Sequence, residues 1–348
     1  MGMSLASLFY PVIKPLLFRM EAEAAHELTT RMMRVTHSLG LLGREAIVDG
    51  PPVSVMGLSF PNRLGLAAGM DKSAAAVDAW SKLGFGMVEV GTLTPRPQTG
   101  NPKPRLFRLP EHRALINRMG FNNPGIHSAV ERLRHRQAKA IVGVNIGKNF
   151  DTPNETAVED YLICLRATYD VADYVAVNIS SPNTKGLRDL QSENAIRSLL
   201  IAVRAEQEML KGKTGRTVPV VVKIAPDLTS EGISDLVRVF NEVGVDGVIA
   251  TNTTVDHRSV RPHKFADENG GLSGEPVRKR SDEVLTAFRA GLRPEIPLIG
   301  VGGIVTGADA AEKRRLGADL VQIYSGLVFR GPALITEATQ MLVDRHGK

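Results

Sequence analysis

The stretch from Pro219 to Thr253, PVVVKIAPDLTSEGISDLVRVFNEVGVDGVIATNT, decides the fold. It begins with VVVKIA, a continuous apolar run, and such a run is typical of a strand that is buried on both faces of a parallel sheet. Residues 230–243 follow with the apolar spacing of a helix, and a second buried run begins at Gly247. The stretch therefore predicts a strand–helix–strand unit, which is the building block of parallel sheets.

The same unit repeats from Arg63 onward. Eight consecutive strand–helix units predict a closed (β/α)8 TIM barrel, whose catalytic groups stand at the carboxyl ends of the strands. We assign residues 49–348 to this barrel and residues 1–48 to an N-terminal helical segment. The hairpin predicted for PVSVMGLSFPNR, residues 52–63, would close the barrel floor. The eight strand runs are 63–69, 87–92, 141–147, 174–180, 219–225, 247–253, 297–303 and 320–325.

Composition limits what such a barrel can do. The formal charge of +6 suits an anionic substrate, a phosphate-bearing cofactor or an acidic membrane surface. Aromatic residues make up only 5% of the chain and no nucleic-acid-binding motif is present, so nucleic acid is not an expected partner. Cys164 is the only cysteine, which excludes an intramolecular disulfide and a cysteine-ligated metal centre, and no metal site is expected. No apolar run is long enough to predict a membrane span.

Polar residues and glycines gather at the predicted strand ends. So many polar groups at one rim predict a ligand that satisfies them, because buried polar groups without partners cost stability. GVGG, ending at Gly303, closes the seventh strand, and YSG, beginning at Tyr324, closes the eighth. The loops at this position in barrels commonly hold a phosphate group, and FMN is the simplest cofactor that supplies one.

Two lysines stand near this rim. Lys223 lies inside an apolar strand, where an ammonium group needs an anionic partner. A flavin would provide one, and the alternative is a Schiff-base lysine of a barrel aldolase that binds a sugar phosphate. Lys72 follows the first strand, and it is either a ligand to a carboxylate or a solvated loop residue.

An amide-rich set and one serine suggest the kind of substrate. Amide side chains present donors and acceptors together and so match the alternating N–H and C=O edge of a pyrimidinedione, although a single Asn is more often a turn former. Ser181 is a candidate base or a loop cap, and no His–acid pair stands beside it, which disfavours a hydrolase triad. The five amides are Asn117, Asn145, Asn178, Asn183 and Asn252.

The first forty residues differ from the rest. Two segments with helical apolar spacing, residues 5–17 and 22–39, are interpreted as either a docking appendage or a membrane-surface element. The basic clusters at 132–136 and 258–264 are interpreted most simply as solvated faces, with membrane contact as the minor alternative.

Several long motifs carry a resemblance over nearly the whole chain. They include GLAAGMDK, GTLTPRPQTGNPKPRLFRLP, INRMGFNNPG, VNISSPNTKGLR, VKIAPDL, GGLSGEP and VQIYSGLVFRGP. With these motifs the sequence resembles the quinone-dependent, class 2 dihydroorotate dehydrogenases. Class 1 relatives have a cysteine at the position of Ser181, so the serine favours class 2, and the N-terminal extension agrees with that.

The resemblance implies a function and a set of site residues. The function is FMN-dependent oxidation of (S)-dihydroorotate to orotate in de novo pyrimidine (UMP) biosynthesis, with a membrane quinone as electron acceptor. Ser181 would be the base while a hydride passes to flavin N5, and His26 and Arg108 would lie near the quinone. The protein would associate peripherally with the cytoplasmic side of the cell inner membrane. Another FMN barrel oxidoreductase and the lysine aldolase are the alternatives.

Two residue sets follow from the same resemblance. The FMN contacts would be Ala68, Gly69, Met70, Asp71, Lys72, Thr92, Asn145, Asn178, Lys223, Thr251, Gly274, Gly302, Gly303, Tyr324 and Ser325. The dihydroorotate contacts would be Lys72, Asn117, Arg118, Met119, Gly120, Phe121, Asn178, Asn183, Asn252 and Thr253.

Overall fold

The strands of the computed structural model form a closed barrel with two smaller sheets attached. The structure describes residues 5–42, 50–184 and 186–343. Every neighbouring pair of barrel strands is parallel, and the order around the barrel is β3-β4-β7-β8-β9-β10-β12-β13. The strands are β1 Val53–Val55, β2 Leu58–Phe60, β3 Leu64–Leu66, β4 Met87–Leu93, β5 Leu106–Leu109, β6 Ala114–Asn117, β7 Ile141–Ile146, β8 Tyr174–Asn178, β9 Val220–Ile224, β10 Gly247–Ala250, β11 Gly271–Gly274, β12 Leu298–Val301 and β13 Leu320–Ile323.

The eight barrel strands coincide with the eight predicted runs, so the predicted (β/α)8 class is confirmed. Each of these strands is buried along almost its whole length, because helices cover the outside and side chains fill the inside. Several predicted strands extend one to three residues beyond the observed strands, because the chain has already left the sheet at these positions.

Helices cover the barrel and begin where the sequence provides caps. The Thr229 side chain accepts a hydrogen bond from the Gly232 N–H at the start of α7, and Gly244 ends that helix with a φ of 76°. The helices are α1 Leu5–Arg19, α2 Ala22–Ser38, α3 Val77–Lys82, α4 Ile126–Arg134, α5 Ala157–Thr168, α6 Glu193–Thr214, α7 Ser230–Val243, α8 Arg278–Gly291, α9 Gly307–Arg315, α10 Ser325–Arg330 and α11 Ala333–Met341.

The hairpin β1–β2 closes the amino-terminal end of the barrel, as predicted. Its strands pair antiparallel, with Val53 opposite Phe60. Val55 and Phe60 pack in one apolar cluster with inward-facing barrel residues such as Met87 and Ile249. The hairpin therefore closes the amino-terminal end of the barrel, and the carboxyl end of the strands is open to ligands.

A three-stranded antiparallel sheet lies at that opposite end, and the sequence analysis did not predict it. β5 and β6 come from the long connection after β4, and β11 comes from the connection after β10. The register places Asn117 opposite both Leu106 and Gly271. The two connections thus form one rigid structure that holds residues such as Asn117 and Gly274 at the rim.

The two N-terminal helices pack beside this small sheet, as the predicted helical segment requires. Phe18 and Ala22 contact a cluster formed by Leu106, Leu115 and Phe329. The predicted boundary at residues 48 and 49 lies outside the described residues. In the part of the chain that the structure describes, no helix is both long and apolar enough to cross a membrane.

Candidate active site

A cavity lies at the carboxyl ends of the barrel strands and under the small antiparallel sheet. The strand ends supply its floor and one wall, and the loops after β4, β8 and β10 supply the rest. The structure brings most of the sequence-predicted site residues to it: Ala68, Gly69, Lys72, Thr92, Asn117, Met119, Gly120, Phe121, Asn178, Ser181, Asn183, Lys223, Thr251, Asn252, Thr253, Gly274, Gly302, Gly303, Tyr324 and Ser325.

Four residues of the predicted sets do not line this cavity. The carboxylate of Asp71 is buried and accepts hydrogen bonds from the N–H groups of the loop that follows it, Ala75 and Ala76 among them. Arg118 points away and forms an ion pair with Glu268 at 2.5 Å. Met70 faces a second cavity, and Asn145 lies one layer below the first.

The predicted amides form two connected groups. Asn178 Nδ2 donates to Thr92 Oγ1 at 2.9 Å and to Asn145 Oδ1 at 3.2 Å. Asn252 joins the same group through Ser180 Oγ at 2.9 Å. The second group lies across the cavity, where Asn183 Nδ2 donates to Asn117 Oδ1 at 3.0 Å. Each amide is fixed by its neighbours, so the remaining donors and acceptors are preorganised toward a ligand.

Lys223 has a buried partner that the sequence analysis missed. Its Nζ lies 3.6 Å from Glu89 Oε1, and both side chains are almost completely buried. The other carboxylate oxygen of Glu89 accepts hydrogen bonds from Tyr174 at 2.9 Å and from Gln322 at 2.8 Å. The floor of the cavity therefore holds an ion pair, with the cation on the cavity side. A carboxylate inside the apolar run MVEVGTL was the available signal for it.

Lys72 stands at the wall between the first cavity and α2. Its Nζ donates to the Gly69 carbonyl at 2.9 Å and contacts the Met119 sulfur at 3.2 Å. Burial lowers the pKa of Lys72 to about 8, and the nearby Arg105 acts in the same direction. An ammonium group held in this way favours an anionic ligand, because such a ligand restores the charge balance that burial disturbs.

Ser181 lies at the edge of the cavity and is 6% exposed. Its Oγ accepts a hydrogen bond from the Asn183 N–H at 3.3 Å, which is the loop-capping contact that the sequence analysis considered. Three residues later, the buried Thr184 Oγ1 has no hydrogen-bond partner among the described residues. The loop thus has two hydroxyl groups close in sequence, and only that of Ser181 belongs to the cavity lining.

One end of the cavity depends on glycine. Gly302 and Gly303 have φ values of 115° and 77°, which favour glycine over other residues. A Cβ at Gly303 would lie 2.2 Å from Arg278 Cβ, so any side chain there would displace the start of α8. The chain can therefore turn closely around the end of the cavity, with backbone N–H groups available to a phosphate.

Two residues of the cavity lining each have a buried polar atom without a partner within the described chain. Thr253 Oγ1 and Gln322 Oε1 are buried and make no hydrogen bond there. Because buried polar atoms are normally paired, these atoms fit a polar heterocyclic ligand. Gln322, with Ser273, Val277 and Val301, belongs to the lining that the sequence analysis did not single out.

A second cavity of about 390 Å³ lies between α1, α2 and the barrel. Its lining is mainly apolar, and it includes both predicted quinone residues, His26 and Arg108. Burial lowers the pKa of His26 to about 4, and the nearby Lys72 ammonium acts in the same direction. Arg108 donates to the carbonyls of Leu17 and Met20 at the end of α1.

Tyr324 lines both cavities, so one side chain separates them. Burial raises the pKa of its hydroxyl group to about 12. The two cavities differ in chemistry, since the first is rich in amides and the second in aliphatic and aromatic groups. Among the described residues, no group of three or more His, Cys, Asp or Glu side chains could hold a metal ion.

This fold and this site define an enzyme of the (β/α)8-barrel class that binds a polar ligand at the strand ends, next to an apolar cavity. The family model of dihydroorotate dehydrogenase matches residues 52–345. The chain therefore belongs to the dihydroorotate dehydrogenase family, and it is an oxidoreductase.

Full-length relatives place it among the quinone-dependent members. The dihydroorotate dehydrogenase (quinone) of Chromobacterium violaceum is 53% identical over 334 residues, which cover 96% of this chain and 97% of the relative. The protein of the same name from Stenotrophomonas maltophilia is 53% identical over 339 residues and covers 97% of each chain.

Solved structures show the same similarity. A crystal structure of DHODH from Eimeria tenella in complex with ferulenol has a TM-score of 0.84 and 38% identity, over 91% of this chain and 90% of that one. The ligand-free form from the same organism also has a TM-score of 0.84, with 39% identity over 91% and 93% of the chains. The family assignment excludes the lysine aldolase alternative.

Proposed function

We propose that this protein oxidises (S)-dihydroorotate to orotate with bound FMN and passes the electrons to a membrane quinone, as a step of de novo UMP synthesis. The observation that carries this proposal is the pair of cavities that share Tyr324. A polar cavity at the strand ends suits the pyrimidine and the flavin, and an apolar cavity beside it suits a long-chain quinone. A quinone-independent barrel oxidoreductase would not need the second cavity.

The residues of the first cavity fit FMN. The glycine turn at Gly302 and Gly303 would receive the phosphate, and the polar atoms without partners, Thr253 Oγ1 and Gln322 Oε1, offer hydrogen bonds to ligands. Lys223 would hold positive charge against the cofactor, preorganised by its ion pair with Glu89. Bound FMN would supply one chemical function: it accepts a hydride at N5 and releases the two electrons to a second acceptor.

The amides and Lys72 fit dihydroorotate. Asn117, Asn183 and Asn252 supply both donors and acceptors, as an imide edge requires. Lys72 would bind the substrate carboxylate, and burial, which lowers the pKa of its ammonium group although Glu23 acts in the opposite direction, favours such an anionic partner. The substrate would thereby be oriented at two ends, which fixes the reacting carbon atoms between them.

Ser181 is the proposed base. Its Oγ would take the C5 proton of dihydroorotate as C6 loses its hydride. A serine hydroxyl is a weak base unless its own proton can leave, so the C5 proton would reach Ser181 Oγ as the Ser181 proton passes on to bulk water.

The second cavity would receive the quinone. His26 and Arg108 lie in its lining, and His26 stays neutral at ordinary pH because its pKa is lowered to about 4. A neutral imidazole can donate to or accept from a quinone oxygen without bringing a charge into an apolar space. We place the protein peripherally on the cytoplasmic side of the inner membrane, where a quinone could enter between α1 and α2.

The visible spectrum of the purified protein tests the proposal. A yellow protein that bleaches when dihydroorotate is added under anaerobic conditions, and regains its colour with a quinone, is the expected result. A well-folded protein that binds no flavin would disprove it. A flavoprotein that dihydroorotate does not bleach would favour another FMN barrel oxidoreductase.

A further inference from the structure

A third cavity, of about 610 Å³, lies outside both ligand cavities, between α2, α3 and α4. Arginines and histidines dominate its charged lining. The basic residues are Arg31, Arg34 and His37 from α2, Arg132 from α4, and His135 and Arg136 directly after α4. We call this cavity the basic cleft. The sequence analysis interpreted the α4 cluster as a solvated face, because nothing in the sequence shows that α2 lies opposite it.

The carboxylates of the basic cleft are already engaged. Asp78 accepts a hydrogen bond from the Gln137 N–H at 2.8 Å. Glu131 forms an ion pair with Arg134 on its own helix and a hydrogen bond with His135 just beyond it, both at 3.2 Å. Arg136 is balanced by Asp173 at 3.3 Å. Asp78 keeps its negative charge, because its donor is a neutral N–H group, and Arg31, Arg34 and Arg132 together outweigh it, so the cleft keeps an excess of positive charge.

The arginines of α1 and α2 are unusual in this chain. Over residues 5–42, 50–184 and 186–343, only Arg19, Arg31 and Arg34 have a guanidinium group with neither a hydrogen bond nor an ion pair within the protein. An arginine carries five donors in a planar fork that matches carboxylate and phosphate oxygens. Two of these three guanidinium groups face the same cleft.

An exposed apolar stripe runs along α2 beside the basic cleft. Leu28, Met32, Val35 and Leu39 are spaced three and four residues apart and remain 38% to 65% exposed. Arg31 and Arg34 project from the flank of this stripe, about one third of a helical turn away. On α1, Phe9, Val12 and Leu16 are exposed as well. Such a pattern is typical of a helix that lies in a membrane interface with cations at the level of the lipid phosphates.

We infer that the basic cleft binds the phosphate headgroup of an anionic phospholipid while the apolar stripe enters the acyl layer. This inference deepens the membrane association proposed above and rests on it. Phosphate is the group that two open guanidinium forks recognise best. The adjoining stripe favours a lipid over a soluble phosphate, because a soluble ligand would leave the apolar face exposed to water.

The test compares vesicles of pure phosphatidylcholine with vesicles that also contain phosphatidylglycerol, using the full chain. The wild-type protein should bind the anionic vesicles more tightly. The double variant Arg31→Gln/Arg34→Gln should lose about thirtyfold in affinity for these vesicles, since each basic residue near the surface contributes about 1 kcal/mol. Arg132→Gln, on the opposite wall, should lose about fivefold by the same reasoning. Binding to pure phosphatidylcholine should not change.

Two control variants distinguish binding in the basic cleft from a diffuse attraction between a basic protein surface and the vesicle. Arg258→Gln/Arg315→Gln removes the same charge from exposed, ion-paired positions elsewhere and should have no effect. Arg19→Gln removes an unpaired arginine of the same helical pair that does not line the cleft. If Arg19→Gln weakens binding as much as Arg31→Gln or Arg34→Gln alone, the attraction is diffuse and the cleft proposal is wrong.

The remaining outcomes are also distinct. Equal wild-type binding to both vesicles would overturn the headgroup site and leave membrane association intact, whereas no binding to either would overturn the membrane association of the proposed function. Inorganic phosphate is the probe for a soluble ligand. Saturable phosphate binding that disappears in Arg31→Gln/Arg34→Gln, together with equal binding to both vesicles, would show a free-anion site instead of a lipid site.

Discussion

The ammonium group of Lys223 lies 3.6 Å from a carboxylate oxygen of Glu89, in the buried floor of the first cavity. The pair is held from below by Tyr174 and Gln322, which both donate to the second oxygen of Glu89. The net charge of this pair determines the electrostatic potential at a ligand bound above Lys223. Without the carboxylate, the cation would be uncompensated.

Glu89→Gln should raise the midpoint potential of the bound flavin. The substitution keeps the shape of the side chain but removes one negative charge, so added electrons are stabilised. The expected rise is tens of millivolts, at about 30 mV per 1.4 kcal/mol for a two-electron couple. Spectroelectrochemical titration measures it. Tyr174→Phe removes a hydrogen bond to the same carboxylate without changing the charge, and an equal rise in that variant would contradict the electrostatic explanation.

Ser181→Ala should keep the flavin but slow its reduction by dihydroorotate about 10²- to 10⁴-fold, because the proposed proton acceptor is removed and the binding groups remain. Anaerobic stopped-flow absorbance measures this half-reaction directly. Ser181→Cys keeps an ionisable group at the position and should recover part of the rate. Fast bleaching of the alanine variant would show that another group takes the proton.

Ala25→Phe should impair the quinone half-reaction alone. Ala25 is buried and lines the second cavity, so a phenyl group would fill space that the quinone needs. A steric cost of about 1–3 kcal/mol predicts a rise of about 5- to 150-fold in the KM for a long-chain quinone. The neighbouring Ala24→Phe is the matched control, since Ala24 does not line the cavity. A similar KM in both variants would argue against a quinone site there.

The pH dependence of orotate binding should report Lys72. With a pKa of about 8 in the free protein, the side chain is charged below pH 8 and becomes neutral above it. Affinity for the carboxylate ligand should therefore be constant below pH 8 and fall about tenfold per pH unit above it. Calorimetric titration across this range measures the effect. Lys72→Gln should bind weakly with no break near pH 8, and a break that persists would assign the titration elsewhere.

Glu23→Gln should loosen α2 from the barrel. The buried Glu23 carboxylate lies 2.7 Å from Arg105 NH2 and holds this helix beside the small sheet. Breaking a buried pair costs about 3–5 kcal/mol, so the melting temperature should fall and hydrogen exchange in α2 should rise. Glu27→Gln removes an exposed partner of Lys103 and should cost less than about 1 kcal/mol. Equal losses in the two variants would contradict this account.

Acid should act on the same ion pair. Burial tends to raise the pKa of Glu23, but the hydrogen bonds and charge of Arg105 outweigh it and hold this pKa below its usual range. A lowered pKa gives stability that is present above the usual carboxyl pKa and lost as pH falls through the value in the folded protein. The wild-type protein should lose this stabilisation below about pH 4.5, whereas Glu23→Gln should lack that contribution throughout.

The barrel could be read from the sequence because each strand is a continuous apolar run followed by helical spacing, as residues 219–253 illustrate. The small antiparallel sheet could not. Its strands, such as Leu106–Leu109, are only four residues long, and the pairing of β6 with β11 joins positions about 150 residues apart. Short strands without local partners leave little periodic signal.

The sequence predicted the position of the site but not the buried carboxylate beneath it. Strand-end positions located the cavity, because the carboxyl ends of barrel strands converge. The motifs do not show in which direction each side chain points. Asp71 and Arg118 were therefore predicted to contact ligands together with residues that face the cavity, although their side chains point elsewhere. The buried Lys223 predicted an anionic partner, but the sequence did not identify it as Glu89. The two residues lie in β9 and β4, which are too far apart in sequence for a spacing pattern to connect them.

Since Tyr324 belongs to both cavities, the two compartments touch without merging, and a molecule in one leaves the other accessible. An inhibitor lodged under the N-terminal helices should therefore not compete with the pyrimidine, and dihydroorotate should not relieve its effect at any concentration. Two compounds of unrelated chemistry, one for each compartment, could then be bound at once.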